Sequence, residues 1–328
     1  LKNQTLLYPS GSSGGGNHTN LDRILLTSSD DKSGALILKD PLAGFVYTGF
    51  LSTNRLIRMN KIYHYTDLNG LQGIVENHCL RATNLYFLND EEEMHHGIAA
   101  FENALNYLNE ELSQESIKIL RHTLAIHRLN QARHNYNISF CQKSDLLSQW
   151  RGYAATQGVC LEFDSDKLES ALDYQDYQVL SRGVFYTSRN STLEAKAEIL
   201  TFLKEENIIE ISKENKLFEY KSASQLVNRL TPFFKHDSFK EESEYRIVIQ
   251  PNIKAAPVKF RVNQHGLIPY LEVKARQDNA FDGRLPLESV KIGPCKNRAF
   301  MKQGIEFLLN YNGYKKTKLS FTDVPFRV

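Results

Sequence analysis

The run Ile62-Tyr63-His64-Tyr65-Thr66-Asp67 leads directly into Leu68-Asn69-Gly70-Leu71-Gln72-Gly73-Ile74-Val75. The first reads as a short strand, and the second places its apolar residues at helical spacing. Thr66 or Asp67 can cap that helix by accepting a hydrogen bond from a free backbone N–H. His64 and Thr66 are two apart and therefore share one strand face. A strand, a polar pair and a helix N-terminus in succession can hold a ribose and a pyrophosphate. The helix end offers an anion unpaired N–H groups and partial positive charge.

The chain has 328 residues, enough to bury a substantial core. Its 40 Lys+Arg against 38 Asp+Glu give no electrostatic case for nonspecific nucleic-acid binding. Cys79, Cys141, Cys160 and Cys295 form no CxxC pair, which argues against a structural zinc site, and no metal is expected. Cys141 and Cys160 lie in apolar runs that suit buried free thiols, and a cytoplasmic location is expected. No run reaches the roughly 20 apolar residues of a membrane span.

Residues 1–58 lack a sustained period and contain Pro9-Ser10-Gly11-Ser12-Ser13-Gly14-Gly15-Gly16, a flexible-linker composition. We expect them to be a disordered or non-native extension. Residues 59–328 should form a single α+β domain with a helical insertion around 91–133. Helical spacing is expected over Glu91–Leu112, Gln114–Arg133, Leu146–Arg151, 193–234 and Arg298–Leu309. Leu217, Tyr220, Leu226, Leu230 and Phe233 supply the apolar positions of the fourth. Strands are expected at Leu85–Leu88, Tyr136–Cys141, Gly158–Phe163, Val179–Thr187, Glu242–Gln250, Pro257–Val262, Gly266–Lys274, Ser289–Ile292 and Thr317–Phe321. This order of helical clusters and antiparallel-looking strands predicts an α+β class.

The segment Glu242-Ser243-Glu244-Tyr245-Arg246 carries the densest chemistry. On a strand, Glu242, Glu244 and Arg246 share one face. An exposed strand edge with a Glu–Arg pair worth less than about 1 kcal/mol accounts for this pattern. Alternatively, Glu244 points into a cleft, where a carboxylate can stabilise an oxocarbenium-like centre. Arg246 would then hold that carboxylate or bind phosphate. Asp90 suits a helix N-cap. The sole tryptophan, Trp150, stands near Tyr153 and is either an aromatic wall for a base or a core anchor. His95-His96 beside Glu91-Glu92-Glu93 hints at a metal-dependent hydrolase. Adjacent histidines on a helix diverge, however, and an exposed surface fits them better.

Taken in order, several pieces resemble the bacterial family catalogued as domain of unknown function 2971. They are Ile62-Tyr63-His64-Tyr65-Thr66, Leu88-Asn89-Asp90 with Glu93, Ile138-Ser139-Phe140-Cys141 and Leu147-Ser148-Gln149-Trp150 with Tyr153. Gly158-Val159-Cys160-Leu161-Glu162-Phe163, Glu242-Ser243-Glu244-Tyr245-Arg246 and Ile292-Gly293-Pro294 complete the set. The resemblance spans about Ile62 to Arg327.

The His-x-Thr strand and Glu242-Ser243-Glu244 are also similar to the first and last motifs of ADP-ribosyltransferase-like enzymes, which include nucleic-acid-modifying toxins and RNA 2′-phosphotransferases. That likeness implies a split antiparallel sheet with helical insertions that binds NAD as substrate. It implies transfer of ADP-ribose to a protein or nucleic-acid acceptor by a bacterial toxin or phage-defence effector. His64 would hold a ribose, Glu244 would be the catalytic carboxylate and Glu242 would orient the acceptor. Thr66, Tyr86, Trp150, Tyr153 and Arg246 would complete the nucleotide site. No Ser-Thr-Ser middle motif is present, and Tyr86 and Tyr153 are the candidates for its stacking tyrosine. On this reading, Glu244→Gln removes turnover and leaves folding intact. The alternative is a noncatalytic nucleotide- or protein-binding domain of the same fold. A phosphoryl-transfer enzyme acting on nucleic acid would need a more basic groove than this composition offers.

Overall fold

The strand and helix signals after Met59 assemble into one large sheet with helices on both faces. In the computed structural model the described residues are 25–26, 36–39, 46–49, 61–88, 93–130, 135–154, 157–174, 177–187, 192–205, 220–251, 257–263 and 266–325. The chain divides into two units, Leu1–Arg58 and Met59–Val328. In the first, β1 (Leu25–Leu26), β2 (Leu36–Lys39) and β3 (Val46–Gly49) form an antiparallel sheet. The rest of that unit, and with it the expectation of an extension, lies outside the described residues.

The second unit opens with β4 (Lys61–Asp67), α1 (Leu68–Asn77), β5 (Cys79–Asn84), α2 (Glu93–Leu105), α3 (Gln114–Asn130) and β6 (Tyr136–Cys141). It continues with α4 (Leu147–Tyr153), β7 (Gly158–Asp164), α5 (Ser165–Ala171), β8 (Tyr177–Gly183), β9 (Phe185–Thr187), α6 (Thr192–Glu205) and α7 (Tyr220–Leu230). The last elements are β10 (Phe234–His236), β11 (Glu244–Pro251), β12 (Lys259–Asn263), β13 (Gly266–Lys274), β14 (Leu287–Ile292), α8 (Arg298–Tyr311) and β15 (Lys318–Phe321).

The sheet runs β12-β13-β5-β6-β4-β7-β14-β15, with β11 joined to β6 and β8 joined to β11. Its pairings are antiparallel except for β14 with β15. The junction at β6 shapes everything that follows. β11 pairs along β6 from Tyr136 to Cys141 and occupies one edge. On the other edge β5 pairs with Tyr136 and Asn137, while β4 pairs with Cys141. The two strands therefore diverge along a single edge of β6.

Period-two patterning supplies the core. Val159, Leu161 and Phe163 of β7 pack with Ile138, Phe140, Ile247 and Ile249 beneath α1, α5 and α8. A smaller cluster of Tyr65, Cys141, Trp150 and Cys160 lies under α4. The helical layer is built from two distant segments, because α2 and α3 pack against α6 and α7 around Phe101, Leu105, Leu120, Ile199 and Leu226. The insertion expected at 91–133 is thus half of that layer. Leu85, Phe233 and Val248 join the layer to the sheet. Among the expected apolar positions Leu226, Leu230 and Phe233 are buried, Tyr220 is exposed, and Leu217 and Asp90 lie outside the described residues.

Two expected strands differ. Leu85–Phe87 is a 3-10 turn, because the Asn84 side chain accepts the Tyr86 N–H at 3.0 Å. The expected strand Val179–Thr187 breaks at Val184, whose N–H donates to the Glu244 carbonyl at 3.0 Å; β9 then pairs parallel with β10. The four cysteines are free, with Cys79, Cys141 and Cys160 buried. Among the described residues no helix is long and apolar enough to cross a membrane.

Candidate functional site

Asp67 ends β4 in extended backbone and caps α1, its carboxylate accepting the Gly70 N–H at 2.7 Å. Thr66 lies across the same turn. A Cβ on Gly70 would stand 1.9 Å from Thr66 Oγ1, so any side chain there would force the Thr66 hydroxyl to turn away. His64 sits where β4 and β5 part. Its Nδ1 donates to the Ser139 carbonyl at 2.9 Å, and its ring leans on Phe140 at 5.6 Å. That tautomer leaves Nε2 as an acceptor. Burial, with help from the Arg261 charge, holds the His64 pKa below its usual value against the pull of the Ser139 carbonyl. The ring is therefore neutral near pH 7.

The divergence opens a cavity of about 620 Å³. His64, Thr66 and Gly70 form one wall, and Thr83, Asn137 and Ser139 form its floor. Lys235, Glu242 and Glu244 close one end, and Arg81 and Arg261 line the other. A recess of about 90 Å³ between His64, Tyr153 and Glu242 adjoins it.

The closed end is an ion cluster. The 3-10 turn Asp237–Glu242 ends at Ser243, whose φ of 44° is left-handed. Glu242 therefore stands off β11, and the expected strand face of Glu242, Glu244 and Arg246 holds only for the last two. Lys235 Nζ donates to Glu242 Oε2 at 2.6 Å and to Glu244 Oε2 at 3.0 Å. Arg246 grips Glu244 with two bonds, Nε to Oε1 and Nη2 to Oε2, each 2.9 Å. Asn137 Nδ2 donates to Ser139 Oγ at 2.7 Å, and the Ser139 hydroxyl bonds Glu244 in turn.

Glu244 is 5% exposed and Arg246 1%, which overturns the exposed strand edge. Both faces of β11 are covered because the helical layer lies on the side of Val248. Burial pushes the Glu244 carboxyl up, and Lys235 is the chief opposing influence. Burial lowers Lys235, yet the charges of Glu244 and Glu242 more than offset this and hold its ammonium above the usual value. Removing one member of a buried ion cluster costs about 3–5 kcal/mol, so Glu244→Gln is not neutral for folding. Glu242 differs: its side chain is 21% exposed, and its Oε1 makes no hydrogen bond among the described residues.

Of the residues singled out in the sequence, His64, Thr66, Tyr153, Glu242 and Glu244 line the cavity. The other three do not. Trp150 is fully buried, edge-on to Tyr65 at 4.9 Å, and its Nε1 donates to Asp145 at 2.7 Å; it is a core anchor. Arg246 lies behind Glu244 and donates to the Pro232 carbonyl at 2.6 Å, so it holds the carboxylate and not a phosphate. Tyr86 points off the cavity and is half exposed, while its neighbour Phe87 lines it. His95 is exposed as expected, but His96 turns inward to Thr187 Oγ1 at 2.8 Å.

Sequence reasoning missed Arg81, Asn137, Ser139, Lys235 and Arg261. Lys235 carried a signal, a lysine directly after Phe233-Phe234. The α1 N-terminus is also less available to an anion than its position suggests, because the Asp67 carboxylate already sits on it.

Residues 149–247 match the family described as Protein of unknown function (DUF2971). The match runs from α4 into β11 and includes Lys235, Glu242 and Glu244. It is shorter than the resemblance read from the sequence, and β4, β5 and β12 fall outside it. No curated protein and no solved structure matched the chain. None of these comparisons gives evidence for a likeness to ADP-ribosyltransferases.

Proposed function

We propose that the cavity binds an NAD-like dinucleotide and that the chain cleaves it, passing ADP-ribose to a protein or nucleic-acid acceptor. One observation carries this reading: His64 and Thr66, remote in sequence from Glu242 and Glu244, border the same cavity. The neutral His64 offers Nε2 to a ribose hydroxyl. The C1′–N bond breaks with its electron pair passing to nicotinamide, and a carboxylate stabilises the ribosyl cation. An acceptor nucleophile then bonds to C1′ and passes its proton to solvent. Glu242 is the better-placed carboxylate, since one of its oxygens is uncommitted. Glu244 acts as a positioning residue that fixes Lys235 and, through it, Glu242.

Nicotinamide release from NAD, with cell extract supplying acceptors, tests the reading. The full chain should release it. Glu242→Gln should lose about 100- to 1000-fold in turnover while still folding, its melting point lowered less than that of Glu244→Gln because the Glu242 side chain is partly exposed. No release by the unaltered chain would sink the enzymatic reading.

The saturation of Glu244 favours a second reading, a noncatalytic nucleotide-binding domain. Both of its oxygens are already held by Arg246 and Lys235, so neither needs a ligand. Calorimetry that showed nucleotide binding with no product would select it.

A further inference from the structure

Arg81 and Arg261 reach the open end of the cavity from different strands. Tyr270 of β13 stands opposite Thr83 of β5 and Lys259 of β12. Arg81 and Arg261, each two residues from those partners, share its face. Their guanidiniums lie 5.1 and 5.9 Å from the Tyr270 ring centroid. Arg261 Nη2 donates to Thr83 Oγ1 at 2.9 Å, and the Arg81 Nη2 lies 3.7 Å from where a Cβ on Gly73 of α1 would stand. Among the described residues neither arginine forms an ion pair with a carboxylate. Glu272, opposite Arg81 in the sheet, is taken by Lys259 at 2.6 Å. Burial and then the Arg81 charge press the Arg261 pKa downward. Two like charges held together in this way are relieved by an anion.

Asn137 supplies an independent observation. It is 2% exposed and lines the cavity floor. Its Nδ2 is used by Ser139, and its Oδ1 is buried with no hydrogen-bond partner. A buried acceptor left unmet is costly. A ligand hydroxyl or amine would satisfy it once the amide turns toward the cavity.

We infer that Arg81 and Arg261 form a diphosphate-binding subsite, and that Asn137 reads a hydroxyl or amine on the same ligand, which makes that ligand a nucleoside diphosphate or a compound containing one. The subsite rests on the proposed nucleotide reading for its ligand class, though not on any turnover. Arg–phosphate pairs are bidentate and strong, and they replace the capped α1 terminus as the source of positive charge.

The test is calorimetry of the full chain with inorganic pyrophosphate, ADP and adenosine. Pyrophosphate and ADP should bind and weaken with added salt, and adenosine should bind more weakly than ADP. Arg81→Gln with Arg261→Gln should lower pyrophosphate affinity about tenfold or more. Arg81→Glu alone, at an exposed position, provides the same loss if the double variant fails to fold. Asn137→Leu, which removes the acceptor without adding charge, should weaken ADP and leave pyrophosphate unchanged. Equal pyrophosphate binding by the unaltered chain and Arg81→Glu, or none by either, overturns the subsite. Binding lost with the arginines but without nicotinamide release keeps the subsite and rejects catalysis. Release that persists undiminished without the arginines does the reverse.

Discussion

The two ends of the cavity treat charge in opposite ways. At one end Lys235, Glu242, Glu244 and Arg246 satisfy each other in a nearly dry cluster. At the other, Arg81 and Arg261 face the same space with a tyrosine between them and no ion pair to a carboxylate among the described residues. A buried charge with its partners in place belongs to the scaffold. Taking one partner away exposes the whole desolvation cost of the others. A cation left to the solvent beside an unmet acceptor is what the proposed ligand would engage. The comparison breaks most directly at Glu244→Gln, which leaves Lys235 and Arg246 buried with one negative partner fewer. Urea unfolding should show a loss of about 3–5 kcal/mol. A loss below about 1 kcal/mol would mean that the cluster is more open to water than its burial suggests.

Trp150→Phe sharpens the same contrast inside the fold. The Trp150 Nε1 donates to Asp145, which also accepts from Thr322, the Asp323 N–H and Lys291. Burial pushes the Asp145 pKa up, but the bonds from Thr322, Trp150 and the Asp323 N–H carry it below its usual value. Losing the indole N–H should cost about 1–3 kcal/mol, and pyrophosphate affinity should not change. A change in affinity with no change in stability would return Trp150 to the nucleotide site.

Elements with local patterns were legible in the sequence. β6 and β13 have the bounds read from alternation, and α1 follows its Asp67 cap. What escaped was set by partners far along the chain. The break at Val184 arises because its N–H meets the Glu244 carbonyl. The burial of Glu244 and Arg246 depends on a helical layer drawn from two segments, and a strand pattern with charges two apart looks exposed without it. Arg81 and Arg261 are unremarkable residues until β13 lies between their strands. His64, Thr66 and Glu242 were singled out because each sits in a short polar motif. Asn137 and Ser139 lie in an otherwise apolar run, and their meaning depends on the divergence of β4 and β5.

His64 offers a smaller, pH-dependent effect. Its folded pKa is held below 6.5, so the unfolded chain takes up a proton that the folded chain resists. Stability should therefore fall as pH drops below about 6.5. His64→Asn keeps a donor toward the Ser139 carbonyl and removes that dependence. Urea midpoints at about pH 7.5 and about pH 5.5 should differ more for the unaltered chain than for the variant. An equal difference would show that His64 titrates freely and that the divergence is wetter than its hydrogen bond implies.

The smallest effect is expected at Tyr86, where two adjacent rings separate ligand wall from surface. Tyr86 and Phe87 touch edge to face at 5.5 Å. Only Phe87 lines the cavity, because the 3-10 turn set by Asn84 sends consecutive side chains in different directions. Tyr86→Ala should change stability by no more than about 0.5 kcal/mol and leave ADP and pyrophosphate affinities as they were. Phe87→Ala serves as the contrast: it removes an apolar wall and should weaken ADP without touching pyrophosphate. If Tyr86→Ala were the variant that weakened ADP, the turn would have to rearrange on binding, and the aromatic wall would be built from the ring that now faces solvent.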